Sequence, residues 1–241
     1  MSGHSKWSQI KRQKGVTDKK RGNLFTKLAN GIIVAARQGG GDPAMNFKLR
    51  LAIEKAKESN VPNDNIERAI KRGTGEEGGA TVDEVTYEGF GPGGTAILIE
   101  AATDNRNRSA SAIRSTLSKF GGNLGSANSV TRLFTPRGVI RVHRESVPDW
   151  ELFELCAIDA GAEDIEEAAE GFTVYTTPAN LHPVTEVLAA KGFAAASSGM
   201  EQVPQNRVAV PDEHSRAKLE KLIEELDSND DVTALYTNAD A

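Results

Sequence analysis

The chain has 241 residues, 38% of them hydrophobic and only 5% aromatic, with a formal net charge of −5 and one cysteine, Cys156. That length suits two or three small domains whose cores rest mainly on Ala, Val, Ile and Leu. A lone cysteine rules out an internal disulfide and any zinc cluster built on paired cysteines, and no stretch approaches the roughly 18 to 20 apolar residues of a membrane helix.

Charge is segregated along the chain. Positions 1–72 hold 16 of the 29 Lys and Arg but only 6 of the 34 Asp and Glu, a net of +10, while the remainder carries −15. The extreme is the start, where Lys6, Lys11, Arg12, Lys14, Lys19, Lys20, Arg21 and Lys27 face a single acid, Asp18. The first 22 residues have no helical apolar period, Trp7 and Ile10 being their large apolar groups, and they read as a mobile basic arm. They lack the apolar centre of a secretory signal and hold too few apolar residues for an amphipathic transit helix, so a cytoplasmic chain is expected.

From Leu24 the pattern changes. Leu24, Phe25, Leu28 and Ile32 recur on one face and predict a helix over 24–37. Gly39, Gly40 and Gly41 end it, and Asp42 followed by Pro43 reads as the cap and first position of a second helix, with Met45, Leu49, Ala52, Ile53 and Ala56 inward. Asn60, Val61 and Pro62 break the chain. Asn63 or Asp64 is expected to cap a third helix that turns Ile66, Ala69 and Ile70 inward and ends at Gly73.

The glycine-rich stretch 73–80 reads as a linker. Strands are expected at 82–88 and 95–101, a helix over 107–120 and a strand near 130–134. Residues 138–202 then spell strand, helix (149–160), two strands (163–168 and 171–177), helix (178–191) and strand (193–202), the order of a ferredoxin-like sandwich. A tail helix at 212–226 and strand at 232–237 cannot bury themselves alone, so they are expected to pack back on 80–134. The expected fold is therefore α+β: a basic arm with a three-helix domain over 1–78, a discontinuous α+β domain over 79–134 and 205–241, and a ferredoxin-like α+β domain over 135–204.

The chemistry points to a polyanion. Lys and Arg neutralise phosphates and release counterions, whatever the base sequence. Arg68, Lys71 and Arg72 add three cations on one face of the third predicted helix, although Lys71 and Arg72 also suit the negative end of its dipole. Trp7 could stack on a base or dock into the protein itself. Arg106 and Arg108 lie at the start of a predicted helix, where either a bound anion or an internal acid would offset their charge. Gly89, Gly91 and Gly94 match a dinucleotide-binding spacing, but a β-branched strand follows rather than a helix, so they read as a hairpin turn. No nucleophile, base and orienter share a motif, and no spacing supports a metal; no cofactor, small-molecule substrate or catalytic residue is expected. Cys156 reads as a core residue, and the acidic runs at 163–170 and 224–231 as solvated faces.

Several stretches together resemble one family: GHSKW at 3–7, DKKRGNLFTKL at 18–28, ARQGGGDP at 36–43, NIERAIKRGTGE at 65–76, YEGFGPGG at 87–94, TDNRNR at 103–108 and GGNLG at 121–125. On these the chain is identified as a member of the YebC/PmpR family. The resemblance implies a helical first domain and two α+β domains. It also implies a role as a DNA-binding transcriptional regulator, or, as for the related mitochondrial translational activator, at the ribosome during difficult stretches such as proline runs. Gly15, Val16 and Thr17 depart from the family's more alanine-rich link without altering the charges.

Two functions follow. The first is DNA-binding regulation of transcription, although no recognition helix of the helix-turn-helix kind is evident. The second is binding to ribosomal RNA, which needs shape and phosphate recognition rather than a base code.

Overall fold

The computed structural model of the chain describes residues 18–79 and 81–240, with side chains from Gly22 onward. Helix α1, Asp18–Gly39, starts inside the stretch that reads as an arm. Extending a formed helix costs little per residue, and Lys and Arg are good helix formers, so the helix outruns its apolar period. Leu28, Ile32, Ile33, Val34, Ala35 and Ala36 bury its inner face.

The second helix begins later than its sequence suggests. The Asp42 carboxylate accepts the Ala44 N–H in a turn, and α2 spans Phe47–Glu58 with Asn46 as its cap. Asn46 does this because it serves two elements at once. Its Oδ1 accepts from Leu49 N–H at 3.1 Å, and its Nδ2 donates to the Ala35 and Gly40 carbonyls at 2.8 Å each. Met45, expected inward, therefore precedes the helix and is 85% exposed. Helix α3, Asn63–Thr74, has Pro62 as its cap rather than Asn63 or Asp64, and closes on Gly75 at φ 86°. It runs through Gly73, where a Cβ would lie 2.6 Å from the Ile33 carbonyl oxygen, so this glycine permits the close crossing of α1 and α3.

Strand β1 (Asp83–Phe90) turns through a short 3₁₀ segment, Pro92–Gly94, into β2 (Ala96–Thr103), so the glycines form a hairpin as expected. Helix α4 (Arg106–Lys119), capped by Asn105, leads to β3 (Asn123–Leu124). The strand expected near 130–134 is instead a 3₁₀ turn, Thr131–Leu133. The Glu88 carboxylate takes the N–H groups of Asn128, Val130 and Thr131 that a strand partner would need.

Next come β4 (Phe134–His143), α5 (Trp150–Asp159), β5 (Ala162–Ala168), β6 (Gly171–Thr176), α6 (Leu181–Ala190) and β7 (Ala195–Pro204). Their sheet order β5-β6-β4-β7, antiparallel throughout, is ferredoxin-like. Phe153 and Phe172 sit in its core with centroids 5.5 Å apart, and Phe153 meets Phe193 edge-on at 5.2 Å. On the sheet, Arg141 and Glu201 form a two-pronged ion pair at 2.7 and 2.8 Å, both side chains nearly buried.

The tail adds β8 (Val208–Ala209), α7 (Glu213–Asp227), β9 (Val232–Thr237) and β10 (Ala239–Asp240). Strand β9 pairs with β2, completing a sheet of order β3-β1-β2-β9. Ile97, Ile99, Ile113, Leu117, Leu222 and Val232 fill the core between that sheet and its helices. Strands β8 and β10 form a two-residue parallel pair that no periodicity could reveal. The described residues divide into two compact units, 133–206 and 18–132 with 207–240, the latter joining the helical region to the first sheet. The α+β class is as the sequence predicts.

Candidate nucleic-acid interface

The described part of the basic head sorts into cations that are engaged by acids and cations that are not. Lys27 is engaged: its side chain is only 11% exposed and its Nζ lies 3.1 Å from the Asp227 carboxylate, while also donating to the Asp227 carbonyl. Asn23 beside it donates to the Ser228 carbonyl at 3.3 Å, so α1 is seated on the end of α7. Arg37 reaches the Asp83 carboxylate at 2.8 Å and the Val82 carbonyl at 3.0 Å. Lys48 reaches Glu84 at 3.1 Å and Gln38 at 2.9 Å. Arg37 and Lys48 thus bind the acids at the start of β1, next to an apolar seam in which Val82 and Ala102 join the helical core.

The third helix presents what is left. Arg68 and Lys71 are exposed and make no ion pair with any described residue. Arg72, read from sequence as their equal, is half-buried, and the backbone at Gly79 packs over its guanidinium, a Cβ there lying 3.3 Å from Nε. Lys57 at the end of α2 is also exposed, an addition that sequence alone did not single out. Lys19, Lys20 and Arg21 occupy the first turn of α1. Lys6, Trp7, Lys11, Arg12 and Lys14 lie outside the described residues.

Arg106 and Arg108 meet acids. Arg106 donates to Asp83 at 3.1 Å, and Arg108 to Asp231 at 3.1 Å and Asp104 at 2.9 Å. Ser109 ties this cluster inward, donating to Asp231 at 2.6 Å. The Asp83 carboxyl, hydrogen-bonded first by Arg37 and then by Arg106, is held below the ordinary carboxylate range. Of the two readings the sequence left open here, the internal ion pair is formed. Asp104 lies four residues from Arg108, but Asp83 and Asp231 stand 23 and 123 positions from the arginines they meet, which is why spacing could not reveal them.

An open depression of about 420 Å³ beside α3 is lined by Asp42, Glu67, Glu76, Lys71, Ile70 and Thr74. Three acids to one base make it unsuited to a phosphate. His143 lies on β4, His182 on α6 facing Glu186 at 3.3 Å, and His214 on α7, while Cys156 is buried as a core residue. Among the described residues no cluster could hold a metal ion, and no helix is long and apolar enough to cross a membrane.

A helical head with exposed cations, followed by an acidic α+β body that contains a ferredoxin-like unit, defines a multi-part α+β protein built around contrasting charge. Residues 5–76 match the family described as "TACO1/YebC protein N-terminal domain", and residues 82–239 match "TACO1/YebC second and third domain". The chain belongs to the TACO1/YebC family. It is 52% identical over its whole length to a "Probable transcriptional regulatory protein" of Moorella thermoacetica, covering 96% of that protein. It is 51% identical to one of Treponema pallidum (strain Nichols), covering 97% of that protein. Among solved structures it is similar to the conserved hypothetical protein Aq1575 of Aquifex aeolicus, at 44% identity and a TM-score of 0.84, over 92% of this chain and 91% of the other.

Proposed function

We propose that this protein is a non-enzymatic, nucleic-acid-binding regulator of gene expression, working without a cofactor in the cytoplasm and acting on DNA in transcription through its basic head. One observation carries the reading: an acidic chain concentrates a net +10 in its first 72 residues. An acidic protein gains no solubility from a basic arm, whereas a phosphate backbone rewards it directly. Exposed Arg68 and Lys71 extend the cationic set beyond the arm. The name carried by relatives about half identical to this chain supports regulation of transcription. On this reading the head spans 1–78, and the acidic parts, 79–134 with 205–241 and 135–204, stay off the polyanion.

A second reading, RNA on the ribosome, draws on the exposed face of α3. There Asp64 and Glu67 alternate with Arg68 and Lys71, a mixed face that a major groove lined by phosphates does not favour. Phosphate and shape recognition by an arm suit structured RNA. The test compares the full chain with a variant lacking residues 1–22, against duplex DNA and ribosomal RNA over a range of salt. Affinity should fall steeply with salt for the full chain and much less for the deletion. Undiminished affinity after deletion would end the basic-head reading. Sedimentation with ribosomal subunits, without footprints on promoters, would choose RNA over DNA.

A further inference from the structure

Helix α5 is apolar on two opposite sides. One side, Phe153, Cys156 and Ala157, is buried in the ferredoxin-like unit. The other carries Leu152, Leu155 and Ile158, which are 46%, 58% and 56% exposed and stand three residues apart as one ridge. A helix that carries apolar residues on both sides normally has both of them covered. The ridge is well supported: Asp149 caps the helix by accepting the Leu152 N–H at 3.0 Å, and Trp150 at its start stacks on Phe172 at 4.7 Å.

The surroundings carry one sign. Glu151, Glu154 and Asp159 lie on the same helix, which has no Lys or Arg. Residues 144–170 hold ten acids and one base, Arg144, which is itself paired with Glu167 at 2.7 Å. An exposed apolar patch rimmed by charge marks an interaction site.

We propose that this ridge docks a cationic amphipathic segment of another protein, an apolar stripe with Lys or Arg along its borders. Charge decides among the occupants. Phosphate chains and anionic membranes are repelled by the acids. A two-fold contact between copies of this chain would set Glu151, Glu154 and Asp159 against their own equals. A partner helix with Leu or Ile facing the ridge and Lys facing the acids buries the three side chains and neutralises their rim.

The test uses the full chain carrying Trp7→Phe, which leaves Trp150 as the one indole of the two in the sequence. Its fluorescence is followed on titration with a synthetic Leu/Lys amphipathic helix of about 18 residues, long enough for five turns, and with a Leu/Glu peptide of the same stripe. The Lys peptide should bind saturably and the Glu peptide should not. The triple variant Leu152→Ser, Leu155→Ser, Ile158→Ser changes only exposed side chains; it should keep its circular dichroism melt and lose about tenfold or more in affinity. Glu151→Gln with Asp159→Asn should weaken binding several-fold at low salt and little at high salt. Equal binding by the triple variant, or equal binding of the two peptides, overturns the proposal. So does self-association of the parent that the triple variant abolishes, which assigns the ridge to a second copy. A tenfold gain in peptide affinity on deleting residues 1–22 assigns it to the chain's own arm, with the same consequence.

Discussion

Replacing Glu88 by Gln probes how the segment after β3 is held. Glu88 lies on β1, only 7% exposed. Its carboxylate accepts the Asn128 N–H at 2.7 Å on one oxygen, and the N–H groups of Val130 and Thr131 at 2.5 and 2.9 Å on the other. Burial pushes this carboxyl up, but the donors of Val130, Thr131 and Asn128 together outweigh burial and hold it below the ordinary range. Gln retains one acceptor oxygen, enough for Val130 and Thr131, and turns an NH₂ toward the Asn128 N–H. One part-buried donor is then orphaned and two lose a charged acceptor. With about 1–3 kcal/mol for the orphan and a fraction of the charge-assisted strength lost at the other two, the cost near neutral pH is about 3 kcal/mol.

The pH dependence has a definite sign. Because the folded carboxyl titrates below its ordinary value of 4.5, its stabilisation is present above that pH and is lost as pH falls through the folded value. Gln does not titrate. The stability gap between the two proteins should therefore narrow on acidification below 4.5. Urea unfolding at several pH values, with amide exchange at Asn128, Val130 and Thr131, measures both effects. A gap under about 0.5 kcal/mol at neutral pH, within the range of surface substitutions, would refute the reasoning, as would a gap that widens in acid.

Three further outcomes are expected. Arg68→Ala with Lys71→Ala should weaken nucleic-acid binding uniformly across sequences and lower the log–log salt slope by about 2 without moving the melting temperature; Lys27→Ala should do the reverse, since Asp227 already engages that side chain. Gly122→Ala would place a Cβ 2.3 Å from the Phe90 carbonyl oxygen, so the β1–β3 pairing must yield, at a cost of about 1–3 kcal/mol read from thermal unfolding.

Much of the fold was legible because local rules and tertiary demands agree. Helix α4 has its cap at Asn105 and its apolar period ending near Phe120, and α7 has Asp212 and Leu219, Leu222 and Leu226. The strand–helix alternation of 134–204 leaves few ways to cover one sheet face, and the ferredoxin-like order is one of them. The start of α2 was not legible. Asp42 and Asn46 are both good caps, and the choice fell to Asn46 because its amide also satisfies two carbonyls at the end of α1.

The site divides in the same way. Sequence alone determined that the head is cationic and the rest acidic, because charge is a property of composition and order and survives any packing. Only the tertiary structure decided which cations remain available. Lys27, Arg37, Arg106 and Arg108 look no different from Arg68 and Lys71 in the chain. Their partners Asp227, Asp83 and Asp231 come from elements brought alongside by folding, up to 200 positions away. Coulomb attraction depends on distance in space, and the sequence states only distance along the chain.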